Sequence, residues 1–176
     1  MELNQYKLID NFLDQDEYTK IKSFLEQEST PWFFRKGDTY IPGEKSKNGF
    51  FSFCAYNFWR PDNFNFYNLT LPILTKLNCF VPIQIRANLS LRDKDSIESS
   101  WHTDHNCVLG TTAILYFNTC NAKTLLKIND KIISINSKEN RLLKFNSSVL
   151  HKVVYHTDVH KRIVINFNYI TENGNI

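Results

Sequence analysis

Two stretches in the second half of this chain leave little choice of local structure. From Gln84 to Leu91 the residues alternate strictly: Gln84, Arg86, Asn88 and Ser90 are polar, while Ile85, Ala87, Leu89 and Leu91 are apolar. The pattern returns from Arg162 to Tyr169, where Arg162, Val164, Asn166 and Asn168 form one set and Ile163, Ile165, Phe167 and Tyr169 the other. Successive side chains of a strand point to opposite faces, so a period of two means a strand with one buried and one polar face. Such strands belong to antiparallel sheets, because parallel strands are covered on both sides and read as continuous apolar runs. Runs at 111–118, 123–128, 131–135, 141–146 and 151–155 predict five more strands, and turn-forming residues at Asn118–Ala122, Asn129–Asp130 and Ser137–Asn140 separate most of them.

The first half reads differently. Tyr6–Ile9 predicts a short opening strand. Asp14 is placed to cap a helix over about residues 15–28, with Glu17 completing a capping box and Leu13 and Tyr18 a hydrophobic staple. Tyr18, Ile21, Phe24 and Leu25 recur at helical spacing and form its core stripe. Strand is expected again at Pro31–Phe34 and from Phe50 to Trp59, then turn at 60–68 and a second helix from Leu71 to Leu77 with Pro72 in its first turn. Two polar stretches, 35–49 and 92–100, are expected as exposed loops. Helices early and many short strands late predict a mostly β fold with flanking helices, a double-sheet jelly roll of the cupin-like kind. With no repeat and no linker, residues 1–176 are expected to form one domain, 1–81 supporting a β core at 82–170.

Composition excludes some classes. A net charge of +3 without a basic stripe gives no clear nucleic-acid surface. Cys54, Cys79, Cys107 and Cys120 form no CxxC pair and no disulfide framework, which fits a reducing compartment. The N-terminus carries no signal-peptide pattern, and no segment is long and apolar enough to span a bilayer, so the expectation is a cytoplasmic location with no membrane partner.

The chemistry-bearing stretch is Trp101-His102-Thr103-Asp104-His105. In extended backbone His102 and Asp104 fall on one side, an imidazole and a carboxylate that can converge on a metal. A third ligand must come from elsewhere. His151, His156 and His160 all follow the run at Arg141–Phe145, so local composition leaves the choice open. Rigidity favours His151, which begins a strand, whereas His156 and His160 belong to a polar connection expected to be exposed. Two histidines and a carboxylate on one side of a metal, with the other positions open, suit non-haem Fe(II).

The stretches His102-Thr103-Asp104, Thr112-Ala113-Ile114-Leu115-Tyr116-Phe117-Asn118, His151 and Arg162-Ile163-Val164-Ile165-Asn166 together resemble the 2-oxoglutarate/Fe(II) dioxygenases, specifically their prolyl-4-hydroxylase-like branch, over about residues 82–170. Asn121-Ala122-Lys123 stands where that family has a Gly-rich turn. The resemblance implies a double-stranded β-helix, with His102, Asp104 and His151 as metal ligands and catalytic centre. It implies that Arg162 binds the far carboxylate of 2-oxoglutarate and that Tyr116 shares it. A planar guanidinium grips a carboxylate better than an ammonium does, which favours Arg162 over Lys161. The alternation adds Asn88 and Asn166 as candidate co-substrate contacts, with Arg86 and Ser90 on the same face.

The implied reaction consumes O2 and 2-oxoglutarate on Fe(II), with ascorbate as reductant, and hydroxylates an unactivated C–H. Asp104 argues for hydroxylation, since related halogenases lack that carboxylate. The branch points to a prolyl or other peptidyl side chain. A small molecule, nucleotide or nucleic-acid base is the alternative within the class. Outside it stand a non-catalytic jelly-roll metal-binding module and a cupin-like metalloenzyme that has no need of Arg162 or Tyr116.

Overall fold

A computed structural model describes residues 5–36, 49–104 and 110–172. Strand β1 (Tyr6–Ile9) leads into helix α1 (Gln15–Glu26), and β2 (Phe33–Arg35), β3 (Phe50–Asn57) and β4 (Arg60–Pro61) precede helix α2 (Phe64–Lys76). Seven strands follow: β5 (Cys79–Leu91), β6 (Gly110–Tyr116), β7 (Lys123–Ile128), β8 (Lys131–Asn136), β9 (Leu142–Asn146), β10 (His151–Val154) and β11 (Lys161–Thr171). The larger sheet runs β1-β9-β6-β11-β5-β3-β2, with β4 paired to β3, and the smaller runs β10-β7-β8. Every pairing is antiparallel. Two facing antiparallel sheets make the jelly roll, or double-stranded β-helix, expected from the strand spacing.

The alternation decides what lies on each side of the larger sheet. Ile85 and Ala87 of β5, Ala113 and Leu115 of β6, and Ile163, Ile165 and Phe167 of β11 join one core cluster with Tyr18, Ile21 and Leu25 of α1 and Phe66, Ile73 and Leu74 of α2. The opposite face meets the smaller sheet. There Ile114, Tyr116, Leu143, Phe145 and Val164 pack with Leu126 of β7 and Ile135 of β8 as a second apolar cluster. The polar residues of β5 and β11 share this inner face, so they surround a cavity between the sheets instead of facing solvent.

Helix α1 begins where the sequence places it. The Asp14 carboxylate accepts from the Glu17 N–H at 2.9 Å, while the Glu17 side chain pairs with Lys76 of α2 and not with the cap. Buried Tyr18, Ile21 and Leu25 form the predicted stripe, and the Tyr18 hydroxyl donates to the Phe117 carbonyl at 2.7 Å.

Helix α2 departs from expectation. It starts seven residues before Leu71, inside the stretch expected as turn, and holds Pro72 in its interior. Asn63 caps it by accepting from the Phe66 N–H at 2.9 Å. Phe66, Thr70, Ile73 and Leu74 then form a buried stripe, and Phe66 stacks on Phe24 with ring centroids 5.1 Å apart. Truncating a buried Phe costs about 3–5 kcal/mol, comparable with the ~3 kcal/mol penalty of a helical proline, so anchoring Phe66 can carry the helix through Pro72.

The aromatic run is also shorter than expected. It ends at Asn57, and Phe58 (φ 37°) and Trp59 (φ 76°) form a left-handed turn into β4. Two bulky residues there give no local turn signal, and the pairing of Tyr56 with Pro61 and Asn57 with Arg60 holds them in it. Among the described residues, Cys54, Cys79 and Cys120 are free thiols. No described helix is long and apolar enough to cross a membrane.

Candidate metal centre

His102 and His151 are set side by side by the backbone. The His102 N–H donates to the His151 carbonyl at 3.0 Å and the His151 N–H returns the bond at 2.9 Å. Residues paired this way across antiparallel backbone put their side chains on the same face. Their ring centroids lie 4.5 Å apart. Nδ1 of His102 lies 2.9 Å from the Ser100 carbonyl, and Nδ1 of His151 lies 3.2 Å from the Val149 carbonyl. A carbonyl only accepts, so each Nδ1 carries the proton and each Nε2 keeps its lone pair.

Asp104 supplies the third donor. Its Oδ1 is 3.9 Å from His102 Nε2 and 3.7 Å from His151 Nε2, and one ligand atom from each residue lies within 4.8 Å of the others. Oδ2 is held from behind by the side-chain amides of Asn166 at 3.3 Å and Asn168 at 3.4 Å. Burial acts to raise the Asp104 carboxyl, but the neighbouring His151 ring and the Arg86 guanidinium outweigh it and hold the group below the usual carboxylate range. Burial, with His151 next and Arg86 adding to it, lowers the His102 imidazole and keeps it neutral. Two imidazoles and a carboxylate, each oriented through its second polar atom, fit a divalent metal with open positions.

The triad opens into a cavity of about 390 Å³ between the two sheets. Arg162 lines it from β11 with 5% exposure, and its guanidinium carbon lies 5.5 Å from the centroid of the Tyr116 ring. Among the described residues no carboxylate pairs with Arg162, and its Nε has no hydrogen-bond partner. Tyr116 is fully buried beneath it, and the Tyr116 hydroxyl bonds Thr124 Oγ1 at 2.8 Å. Thr124, not Tyr116, reaches the cavity wall. Asn88 and Asn166 both line the cavity, as expected for that face, although the Asn166 amide is engaged by Asp104. Asn88 Oδ1 and Asn166 Oδ1 are buried without partners, which in a cavity wall marks room for a ligand.

The three candidate histidines differ in place. Among the described residues His151 is the one that completes a cluster with His102 and Asp104. His160 is exposed as expected, but His156 is fully buried, contrary to expectation. The cause is the 92–100 segment, which pairs with the connection after β10. Arg92 N–H donates to His160 O, Asp93 N–H to His156 O and Tyr155 N–H to Ile97 O, while Asn121 bonds Thr157 and Asp158 from the other side. That segment also brings Ser99 to the cavity, and Gly49 and Phe50 line it from the start of β3. Residues 37–48 of the other loop, together with His105 and Cys107, lie outside the described residues.

Sequence reasoning assigned no role to Thr124 or Asn168. Thr124 shares a strand face with Leu126, so alternation within 123–128 points it inward, but only the opposed sheet shows what it meets. Asn168 sits on the expected face, and only the return of Asp104 over β11 gives it a task.

No family model and no curated protein matches this sequence. Solved structures do match by shape. A 2OG-Fe(II) oxygenase family oxidoreductase from Burkholderia pseudomallei is similar at TM-score 0.74 and 9% identity, covering 98% of this chain and 89% of that one. A prolyl hydroxylase from Trichoplax adhaerens, solved with a hypoxia inducible factor oxygen degradation domain peptide fragment, is similar at TM-score 0.65 and 18% identity over 97% and 86% of the two chains. A Pseudomonas putida prolyl-4-hydroxylase is similar at TM-score 0.59 and 14% identity over 96% and 93%. Over nearly its whole length, this chain has the fold of the 2-oxoglutarate/Fe(II) oxygenases.

Proposed function

We infer that the protein is a 2-oxoglutarate- and O2-dependent Fe(II) oxygenase that hydroxylates an unactivated C–H. The observation that carries this is the convergence of the His102, Asp104 and His151 ligand atoms within 4.8 Å at a cavity whose wall also holds Arg162, a buried cation with no carboxylate partner among the described residues. A metal-binding module or a cupin-like enzyme without a keto-acid co-substrate gives that cation no task. His102, Asp104 and His151 hold Fe(II), and Arg162 holds the far carboxylate of 2-oxoglutarate. Thr124 offers its hydroxyl beside it, positioned by Tyr116, and Asn88 offers a further polar contact. Asn166 and Asn168 fix the Asp104 carboxylate, and the apolar floor of Ile114 and Val164 limits water at the site. Bound Fe(II) and 2-oxoglutarate supply the oxidising chemistry, which converts O2 and the keto acid to succinate, CO2 and a hydroxylated substrate. Ascorbate is the proposed reductant that keeps the iron ferrous.

For the substrate, a prolyl or other peptidyl side chain is the reading supported by the likeness to the two prolyl hydroxylases. A small molecule is the second reading, favoured by the cavity volume of about 390 Å³. The test is anaerobic titration of the protein with Fe(II) and 2-oxoglutarate, followed by exposure to air. The expected result is a weak visible band from the metal-chelated keto acid, then slow succinate formation. Protein that binds Fe(II) but shows neither band nor succinate overturns the reading.

A further inference from the structure

Arg86 is a second arginine on the cavity wall, and the proposed co-substrate leaves it unused. It extends from β5 on the inner face, directly across from Asn166 of β11, the residue that braces Asp104. Ser90, four residues further along β5, is the residue opposite Arg162. At ~3.3 Å per residue the two arginine rows are about 13 Å apart along the sheet, so Arg86 stands at the level of the metal and Arg162 at the far end. The charge of Arg86 is felt by both Asp104 and His102. Yet among the described residues it forms no ion pair with either or with any other carboxylate, and its Nε is buried without a hydrogen-bond partner.

The charges of the filled site leave Arg86 over. Among the described residues the cavity wall carries the cations Arg86, Lys152 and Arg162 and the anion Asp104. Lys152 is paired with Glu98 and lies over the Trp101 ring. A divalent metal is balanced by Asp104 and the chelating carboxylate of 2-oxoglutarate, and the other carboxylate of that acid neutralises Arg162. One positive charge remains beside the metal, on a guanidinium whose planar fork matches a carboxylate. Two acceptors, Asn88 Oδ1 and Asn166 Oδ1, are buried without partners on the same wall. A ligand that satisfies this wall presents an anion to Arg86 and an N–H or O–H to the asparagines.

The geometry points to Arg86 as the specificity residue of the site, binding a carboxylate carried by the prime substrate close to the C–H that is hydroxylated. This deepens the oxygenase reading and rests on it. Substrates of this class are carboxylic acids, free or within a peptide, in which the acid group and a hydrogen-bond donor lie near the reacting carbon. Their neutral amides are rejected because Arg86 then stays desolvated with no counter-charge.

The probes are N-acetyl-L-alanine, N-acetyl-L-proline and benzoate, each beside its own carboxamide. They are titrated against full-length protein loaded with Mn(II) and saturating 2-oxoglutarate, and the broadening of probe proton lines by the metal is read by NMR. Wild-type protein is expected to broaden at least one carboxylate about tenfold or more above its amide, the size of a lost charge-assisted bond. Arg86→Gln is expected to erase that preference while binding 2-oxoglutarate within about threefold of wild type, and Arg86→Lys to retain part of it. Circular dichroism of Arg86→Gln confirms that the fold is kept. No carboxylate preference in wild type, or an equal preference in Arg86→Gln, overturns the proposal. A loss of 2-oxoglutarate binding in Arg86→Gln also overturns it, because Arg86 then serves the co-substrate. Wild-type protein that holds Mn(II) but no 2-oxoglutarate removes the oxygenase reading itself, a result distinct from the others.

Discussion

Replacing Arg162 with Met is expected to move stability and ligand binding in opposite directions. Arg162 is 5% exposed and lacks a carboxylate partner among the described residues, so the free protein buries an uncompensated cation. Its contact with the Tyr116 ring returns about 1–2 kcal/mol. Burying an ion costs several kcal/mol even after relaxation. Met keeps most of the stem volume and removes the charge, so the free protein gains about 1–2 kcal/mol. For a chain of this size that is a rise in melting temperature of roughly 2–8 °C. Loaded with metal and 2-oxoglutarate at about 100 times Kd, wild type gains a further ~2.7 kcal/mol. In Arg162→Met the far carboxylate loses its cation, at about 3–5 kcal/mol or roughly two to three and a half orders of magnitude in affinity, and the ligand-induced shift nearly vanishes at the same concentration. Differential scanning calorimetry with and without the ligands reads both effects. A free Arg162→Met protein that melts well below wild type, or one that keeps the full 2-oxoglutarate shift, would refute the assignment of this buried charge to the co-substrate.

His151→Ala is expected to abolish tight Fe(II) binding, whereas His156→Ala keeps the metal but loses about 1–3 kcal/mol of stability, because its side chain is buried in the connection after β10; equilibrium dialysis and urea unfolding separate the two. Asp10, just after β1, is bonded to Arg141 and Lys138 in the connection before β9, and chiefly its bonds to those two cations hold its carboxyl below the ordinary 3.8. A depressed carboxyl stabilises the fold above its unfolded pKa and loses that contribution as pH falls. Asp10→Asn is therefore expected to melt below wild type at pH 7, with the gap closing as pH drops through and below about 4. A gap that fails to narrow between pH 5 and pH 2 would exclude this origin.

What the sequence reveals about the fold tracks how strongly each element depends on its own residues. β5 and β11 are legible because every second side chain must choose between helices and cavity, and a one-residue slip would put Arg162 into the apolar core and Ile163 into the cavity. The turns at Asn129–Asp130 and Asn140 are legible because asparagine and aspartate tolerate positive φ. The first turns of helix α2, before Leu71, and the Phe58–Trp59 turn are hidden for the opposite reason. Their local residues argue against them, and contacts made across the chain, Phe66 on Phe24 and β4 on β3, decide the outcome.

The same division runs through the metal centre. The His102-x-Asp104 pair can be read locally because two residues of extended backbone suffice to align it. The choice of His151 over His156 cannot be read from exposure, since both are buried. What separates them is backbone register. The reciprocal hydrogen bonds between His102 and His151 bring the two rings together, whereas the His156 carbonyl accepts from the Asp93 N–H. Register also divides the work of the two arginines. Arg162 and Arg86 lie on neighbouring strands of one wall, yet the pairing of Arg162 with Ser90 and of Arg86 with Asn166 sets them at opposite ends of the site. A composition-level reading counts two interchangeable cations. The pairing separates them, and the two proposals give each a different carboxylate to meet, one belonging to the co-substrate and one to the molecule to be oxidised.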